Sequence, residues 1–386
     1  MDKSNEVYIT LQKHLNNQVL GFPATRSGVE LKILKHIFTP SEARVATHLN
    51  SSFEPLETIF PRVSEFVDSQ SHLQKILEHI QKKGGIESKV KDGQRHYCNA
   101  PLIVGMYELQ LGRLTPQFID DFNQYTKNKK FGIEFLSTEL PQMRTIPVEK
   151  SIQVKYHVST FDAISTMLKD AEEPFVIIEC ICRKKKAMQN KPCKITERKE
   201  TCLAMSGVGQ SVLFSGLGRE ISREEAIAII DKNQEEGLVL QPSNSQKIEF
   251  LCSCCGCCCG MLHLQKKLPA PLDFWASNFY AEVNINECVG CGICTQRCQV
   301  NAITVSGKKC ATVALSRCLG CGVCVTFCPN EAIHLLKKMP EIKPPMTRED
   351  LHKIIMANKK GKWEKVKLAG RLIFKSIGTG TINKTT

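Results

Sequence analysis

Four cysteines at Cys288, Cys291, Cys294 and Cys298 recur 30 residues later as Cys318, Cys321, Cys324 and Cys328. Gly290, Gly292, Ala302 and Ile303 repeat with the same offset as Gly320, Gly322, Ala332 and Ile333. Nineteen of the 20 cysteines lie between Cys180 and Cys328, and only Cys98 precedes them. The first residues lack a basic stretch followed by an apolar one, and no apolar run approaches the roughly 18 residues of a membrane span. A cytoplasmic chain is therefore expected. In that reducing compartment such a density of thiols points to metal or redox ligands rather than a disulfide framework.

Each repeat reads C-x2-C-x2-C-x3-C, a run that holds cubane [4Fe-4S] clusters. Three closely spaced thiolates wrap one corner of a cubane while the next cysteine points away. Gly290 and Gly292 let backbone amides approach cluster sulfurs. A pair of zinc knuckles is the alternative, but zinc sites rarely need three cysteines at successive x2 spacings. Residues 276–340 resemble two-cluster bacterial-type ferredoxins. The resemblance implies that each cluster takes its last ligand from the other repeat: Cys288, Cys291, Cys294 and Cys328 for one, and Cys318, Cys321, Cys324 and Cys298 for the other. One position departs from that pattern, because Cys328 precedes Pro329 whereas Cys298 precedes Gln299.

A second array contains Cys180, Cys182, Cys193 and Cys202, followed by Cys252, Cys254, Cys255, Cys257, Cys258 and Cys259. Ten thiols exceed the needs of one ordinary cluster. The simplest expectation is a third iron–sulfur site on Cys180, Cys182, Cys193 and Cys202, with part of the second group beside it; the adjacent cysteines could also be zinc ligands or a thiol reservoir. Arg183 to Lys186 would stabilise thiolates there, or form a solvated charge run. Cys254-Cys255-Gly256 and Cys258-Cys259-Gly260 resemble part of the cysteine-rich motif of heterodisulfide-reductase-type proteins, without its longer spacing. That likeness implies thiol or disulfide chemistry.

Residues 1–135 read as mostly helical. Ser71–Lys83 forms a helix ahead of two short strands around Asp92-Gly93, an arrangement that resembles a winged helix-turn-helix. The resemblance implies either DNA contact through Lys89, Lys91 and Arg95 or a packing role. Residues 136–275 read as α/β: Ser159-Thr-Phe-Asp162 and Ser222-Arg-Glu-Glu225 look like helix-capping boxes, and Pro174–Cys180 and Lys247–Leu251 are expected strands.

Of the formal +13, residues 337–386 carry +9, with 13 Lys and Arg against 4 acids. Clusters with anionic ligand sets would offset the remainder, so the charge argues little for nucleic acid. In the tail, Trp363, Val366, Ile373 and Ile377 share one face of an expected helix. That face suits docking on the body or a partner better than a membrane surface. No phosphate-binding loop or dinucleotide fingerprint is present.

The expectation is an α+β multidomain chain: a winged-helix-like domain (1–135), an α/β cysteine-rich domain (136–275), a ferredoxin-type 2[4Fe-4S] domain (276–340) and a basic tail (341–386). Its expected role is single-electron transfer with a redox partner protein in anaerobic metabolism. The alternatives are a redox-sensing DNA-binding regulator and a thiol/disulfide reductase acting at Cys254–Cys259.

Overall fold

The computed structural model describes residues 3–152, 159–307 and 310–378, and the side chains of residues 5–372 within them. The chain divides into two compact units, one of Met1–Glu139, Ala204–Glu220 and His352–Lys365, the other of Leu140–Leu203, Ile221–Leu351 and Val366–Thr386.

In the first unit, the helix Val29–Ile37 buries Ile33, Leu34 and Ile37, which recur at helical spacing. The next helix, Pro40–Ala46, is started by a capping box in which Thr39 and Glu42 each satisfy the other's backbone N–H. Ser69 caps the helix Gln70–Lys82 by accepting from His72 N. Strand β1 (Glu54–Pro55) pairs with β3 (Gln94–Asn99), which pairs in turn with β2 (Ile86–Lys91). Asp92 and Gly93 both take positive φ, 51° and 76°, the backbone a tight hairpin turn demands. The helix Ser206–Phe214 returns to cover β2: Val90 N donates to Gln210 Oε1 and Ser88 N to Ser211 Oγ.

The second unit is built on a sheet in which β4 (Phe175–Glu179), β5 (Glu200–Ala204), β8 (Phe250–Cys254) and β7 (Val239–Pro242) lie side by side in that order. Strands β7 and β8 are antiparallel, with Val239 opposite Cys254. Of the two expected capping boxes, Ser222 does accept from Glu225 N. Ser159–Asp162 does not form one: Thr160–Asp162 make a 3-10 turn, and the helix Ile164–Asp170 starts from Ala163 without a side-chain cap. The Asp162 carboxylate instead lies 3.5 Å from buried Arg144 and accepts from Asn278 Nδ2.

The cysteine repeats form a module of two antiparallel strand pairs, β9 (Phe279–Val283) with β12 (Ile333–Lys337) and β10 (Ile303–Val305) with β11 (Ala311–Val313). Each repeat places a one-turn helix, Ile293–Arg297 or Val323–Thr326, after a glycine in the left-handed region. In the tail, the helices Arg348–Ala357 and Lys362–Gly378 follow. Trp363 and Val366 are exposed, whereas the side chains of Ile373 and Ile377 lie outside the described residues. No helix among the described residues is long and apolar enough to cross a membrane.

Candidate metal centres

The first centre is a cavity in the ferredoxin-like module. It is lined by Cys288, Cys291 and Cys294 of the first repeat and by Cys328 of the second, with Gly290, Gly292 and Pro329 between them. Gly290 and Gly292 have φ of 68° and 77°, the left-handed backbone that glycine adopts without strain. Ala311 N donates to Cys288 Sγ at 3.3 Å.

The pseudo-equivalent place brings Cys318, Cys321 and Cys324 into electrostatic range of Cys298. Ala281 N donates to Cys318 Sγ at 3.3 Å and Ala302 N to Cys298 Sγ at 3.1 Å. Burial pushes Cys318 and Cys324 up and Cys321 up to about 12, so thiolates here depend on a bound cation for their charge. Residues 147–151 form one wall: Val148 N donates to Cys321 O, and a Cβ on Gly322 would run into the Ser151 hydroxyl.

The ten cysteines of the second array fall into two sets. The Sγ atoms of Cys193, Cys255, Cys257 and Cys258 all lie within 4.8 Å of one another. Cys193 is 3.5 Å from Cys255 and 3.7 Å from Cys257, and Cys257 is 3.7 Å from Cys258. Four sulfurs around one tetrahedral ion with metal–sulfur bonds of about 2.3 Å sit about 3.8 Å apart. The set therefore fits a single zinc or iron ion; the corners of a cubane would hold the sulfurs further apart. Hydrogen bonds from Cys255 and then Cys257 hold the Cys193 thiol well below its usual range. Although its bond with Cys193 opposes the change, bonds with Cys255 and Cys258 bring Cys257 down to about 6. The loop Cys255–Cys259 is in contact with the cluster module at Gly256. Gly256 N donates to Gln299 Oε1, Lys266 Nζ donates to Gly256 O, and a Cβ on Gly256 would strike the Gln299 carbonyl.

The remaining six are Cys180, Cys182, Cys202, Cys252, Cys254 and Cys259, of which Cys182 also packs against the cluster of Leu238, Cys255 and Cys258. The expected grouping of Cys193 with Cys180, Cys182 and Cys202 is thus corrected. Cys193 sits on the loop after the helix Ile181–Met188 and reaches the Cys255 loop, while the other three face β8 and the start of the helix Gly260–Lys267. Of the tetrad Arg183–Lys186, Arg183 and Lys185 are buried, so the run is not a wholly solvated one. Outside both arrays, Cys98 is buried in the first unit and Cys310 donates to Ile285 O.

Residues 281–335 match the family model described as a 4Fe-4S dicluster domain. Comparisons with curated proteins and with solved structures gave no match. The matched segment carries all eight repeat cysteines, and together with the tight four-thiol set it supports binding of iron–sulfur clusters and metal by this chain. Sequence reasoning did not find the division of the array, the unpaired Nε of Arg183 or the Gln299–Gly256 bond. The departure from proline at Gln299 was the visible signal for the last.

Proposed function

We propose that the protein is an electron-transfer protein of anaerobic redox metabolism that exchanges single electrons with a partner protein through two [4Fe-4S] clusters. One cluster is held by Cys288, Cys291, Cys294 and Cys328, the other by Cys318, Cys321, Cys324 and Cys298. The observation that carries this reading is the cavity in which three thiols of one repeat converge with the last thiol of the other. When bound, the clusters supply one-electron redox chemistry. The chain's own part is to exclude water, to donate amide hydrogen bonds from Ala281, Ala302 and Ala311 to ligand sulfurs, and to fix the spacing of the two sites. The set of Cys193, Cys255, Cys257 and Cys258 holds one further metal ion. Zinc there would fasten the loop, and iron would extend the electron relay.

The strand order β1-β3-β2 behind the helix Gln70–Lys82 supports a winged-helix reading of the first unit, used for packing rather than DNA. Arg95, one of three expected phosphate contacts, donates to Glu78, Gln81 and Ser88 and stacks on Phe214. Lys89 lies over the Phe53 ring. A disulfide-reductase reading draws no support from a Cys254–Cys259 segment whose thiols belong to two different sets.

The test is iron, sulfide and zinc per chain on anaerobically purified protein, with electron paramagnetic resonance after reduction. The expected result is at least about eight iron and eight sulfide, with signals of two interacting reduced cubanes. A Cys291→Ser variant should lose one cubane signal. Zinc with no acid-labile sulfide would overturn the reading.

A further inference from the structure

The two cysteine repeats are equivalent in sequence but not in surroundings, and the difference always runs the same way. Val289 of the first repeat is 64% exposed, whereas Leu319, its counterpart 30 residues on, is 1% exposed. Cys291 is exposed and Cys321 is half-buried. The residues that follow the last cysteine of each repeat differ in the same sense. Pro329 and Asn330, after Cys328, are exposed, while Gln299 and Val300, after Cys298, are buried. Val289, Pro329 and Asn330 all line the cavity of Cys288, Cys291, Cys294 and Cys328.

What covers the second repeat is the chain itself. Ser277 Oγ donates to Leu319 O at 2.6 Å, Val148 N donates to Cys321 O at 3.0 Å, and a Cβ on Gly320 would strike the Phe279 carbonyl. Gly256 N donates to Gln299 Oε1 at 2.6 Å. Arg317 donates to the Leu268 and Lys266 carbonyls, each at 2.8 Å, and so fastens the repeat to the end of the helix Gly260–Lys267. Its counterpart in the first repeat is Glu287, whose side chain is half exposed with His334 Nε2 3.8 Å away. The face that repeat two uses to pack on protein is thus left open on repeat one.

The open face has an apolar centre and an acidic rim. Ile285 and Val289, four residues apart across the turn closed by Cys288 N to Asn284 O, are both exposed. Exposed apolar groups gathered at one place and edged by polar ones mark a contact surface. Glu282, Glu287 and Glu331 are exposed around them. The stretches 281–294 and 328–335 contain these three acids and His334 but no Lys or Arg, in a chain whose formal net charge is +13. A bound cluster with four thiolates would add further negative charge there. The matching surface is apolar at its centre and basic around it.

We infer that the face around Ile285, Val289, Cys291 and Pro329 is where a separate one-electron redox protein docks, one that presents an apolar contact ringed by basic side chains. This rests on the reading of the two repeat sites as [4Fe-4S] centres. Electron transfer falls off steeply with distance, so the exposed Cys291 edge is the place of exchange. The donor loses one electron, the acceptor gains it, and no bond or proton is exchanged. The site of Cys318, Cys321, Cys324 and Cys298 is then the inner one, covered by the chain and joined through Gln299 to the loop of the four-thiol set.

The probe is oxidised cytochrome c, a basic protein that accepts one electron. Full-length protein, purified anaerobically, is cross-linked to it with a carbodiimide, which joins carboxylates to lysines, and the linked peptides are mapped by mass spectrometry. The expected links are at Glu282, Glu287 or Glu331. In stopped-flow mixing of the reduced protein with cytochrome c at low salt, an E287K/E331K double variant should react about tenfold more slowly, and the wild-type rate should fall as salt is added. E224K, on the helix Arg223–Glu235, should react at the wild-type rate, and all variants should keep the cubane paramagnetic signals. Links that map only elsewhere, or a rate indifferent to the double substitution, would overturn the docking face while the cubane signals leave the ferredoxin reading standing. A wild-type dimer in sedimentation that Val289→Lys dissociates would assign the face to a second copy of this chain and overturn it as well. Wild-type protein without cubane signals would overturn the ferredoxin reading and this inference with it. The cross-link map of the wild type decides the matter even if a variant does not fold.

Discussion

Gly256 donates its backbone N–H to Gln299 Oε1 at 2.6 Å, joining the loop between Cys255 and Cys257 to the residue that follows Cys298. The residue that breaks the repeat's proline pattern is therefore the one that ties the second array to the cluster module. Gln299 is 6% exposed and its amide nitrogen donates to Arg297 O, so the side chain is held in place at both ends.

Replacing Gln299 by Pro would restore the repeat pattern yet leave a buried N–H on Gly256 without an acceptor. An unmade buried hydrogen bond costs about 1–3 kcal/mol. Q299P and Q299L are expected to keep cubane iron at the wild-type level, unfold at lower urea concentration, and release the ion of the Cys193 set faster to a chelator. Iron analysis, urea titration and chelator kinetics check the three parts.

Gly292 and Gly322 occupy equivalent positions of the two repeats and have nearly equal φ, 77° and 74°. Alanine at either carries the left-handed penalty of about 1–2 kcal/mol. Their surroundings differ, because a Cβ on Gly292 meets nothing within 4 Å while one on Gly322 meets the Ser151 side chain. Ser151 cannot yield easily, as its hydroxyl donates to Val148 O at 2.6 Å. G322A is expected to lose iron from the Cys318, Cys321, Cys324 and Cys298 site, whereas G292A keeps most of its iron. Iron per chain in the two variants, compared under the same purification, tests the asymmetry.

Arg144 and Asp162 form an ion pair whose side chains are 3% and 1% exposed. Arg144 also donates to the Ser243 and Ser245 carbonyls, and Asp162 accepts from Asn278, so the pair links residues 144 and 162 to the β7–β8 turn and the edge of the cluster module. Removing one partner leaves a buried charge and costs about 3–5 kcal/mol, while replacing both with apolar residues can be nearly neutral. D162N should lower stability by that amount, and an R144M/D162L double variant should recover most of it. Equilibrium unfolding of the single and double variants is the measurement.

The dicluster segment was legible because the repeat writes its cysteines into two short contiguous runs, and residues 281–335 match the 4Fe-4S dicluster model. The Asp92-Gly93 turn and the Ser222 cap were also visible, since each depends on residues within a few positions. Which thiols of the second array meet was not legible. That outcome depends on β5 lying between β4 and β8, a long-range pairing that local hydrophobic pattern does not encode, so Cys202 meets Cys252 while Cys193, nine residues before it, meets Cys255. Likewise Asp162 carries a plausible capping motif, but the buried Arg144 and Asn278 draw its carboxylate away.

In the first unit, Glu42 brings Lys83, His79 and the Thr39 amide together at one buried carboxylate. Its side chain is 4% exposed, His79 Nδ1 lies 2.7 Å away, Lys83 Nζ pairs with it, and Thr39 N donates to it at 2.7 Å. Burial alone would raise its pKa, but the bonds from Lys83 and Thr39 outweigh that and hold the carboxyl below the ordinary value of 4.5. A carboxylate with a depressed folded pKa stabilises the fold above its unfolded value, and that stability disappears as pH falls through the folded pKa. The Glu42 contribution is therefore full at pH 7, begins to fall below about pH 4.5, and is gone once the folded carboxyl protonates. E42Q keeps the shape and removes the charge, so it should cost about 1.5–3 kcal/mol at pH 7, the range for hydrogen bonds to a charged group. The gap between wild type and E42Q in urea midpoint should close as the pH is lowered below 4.5. A gap that stayed constant down to full protonation would show that the carboxylate's charge is not what joins these helices.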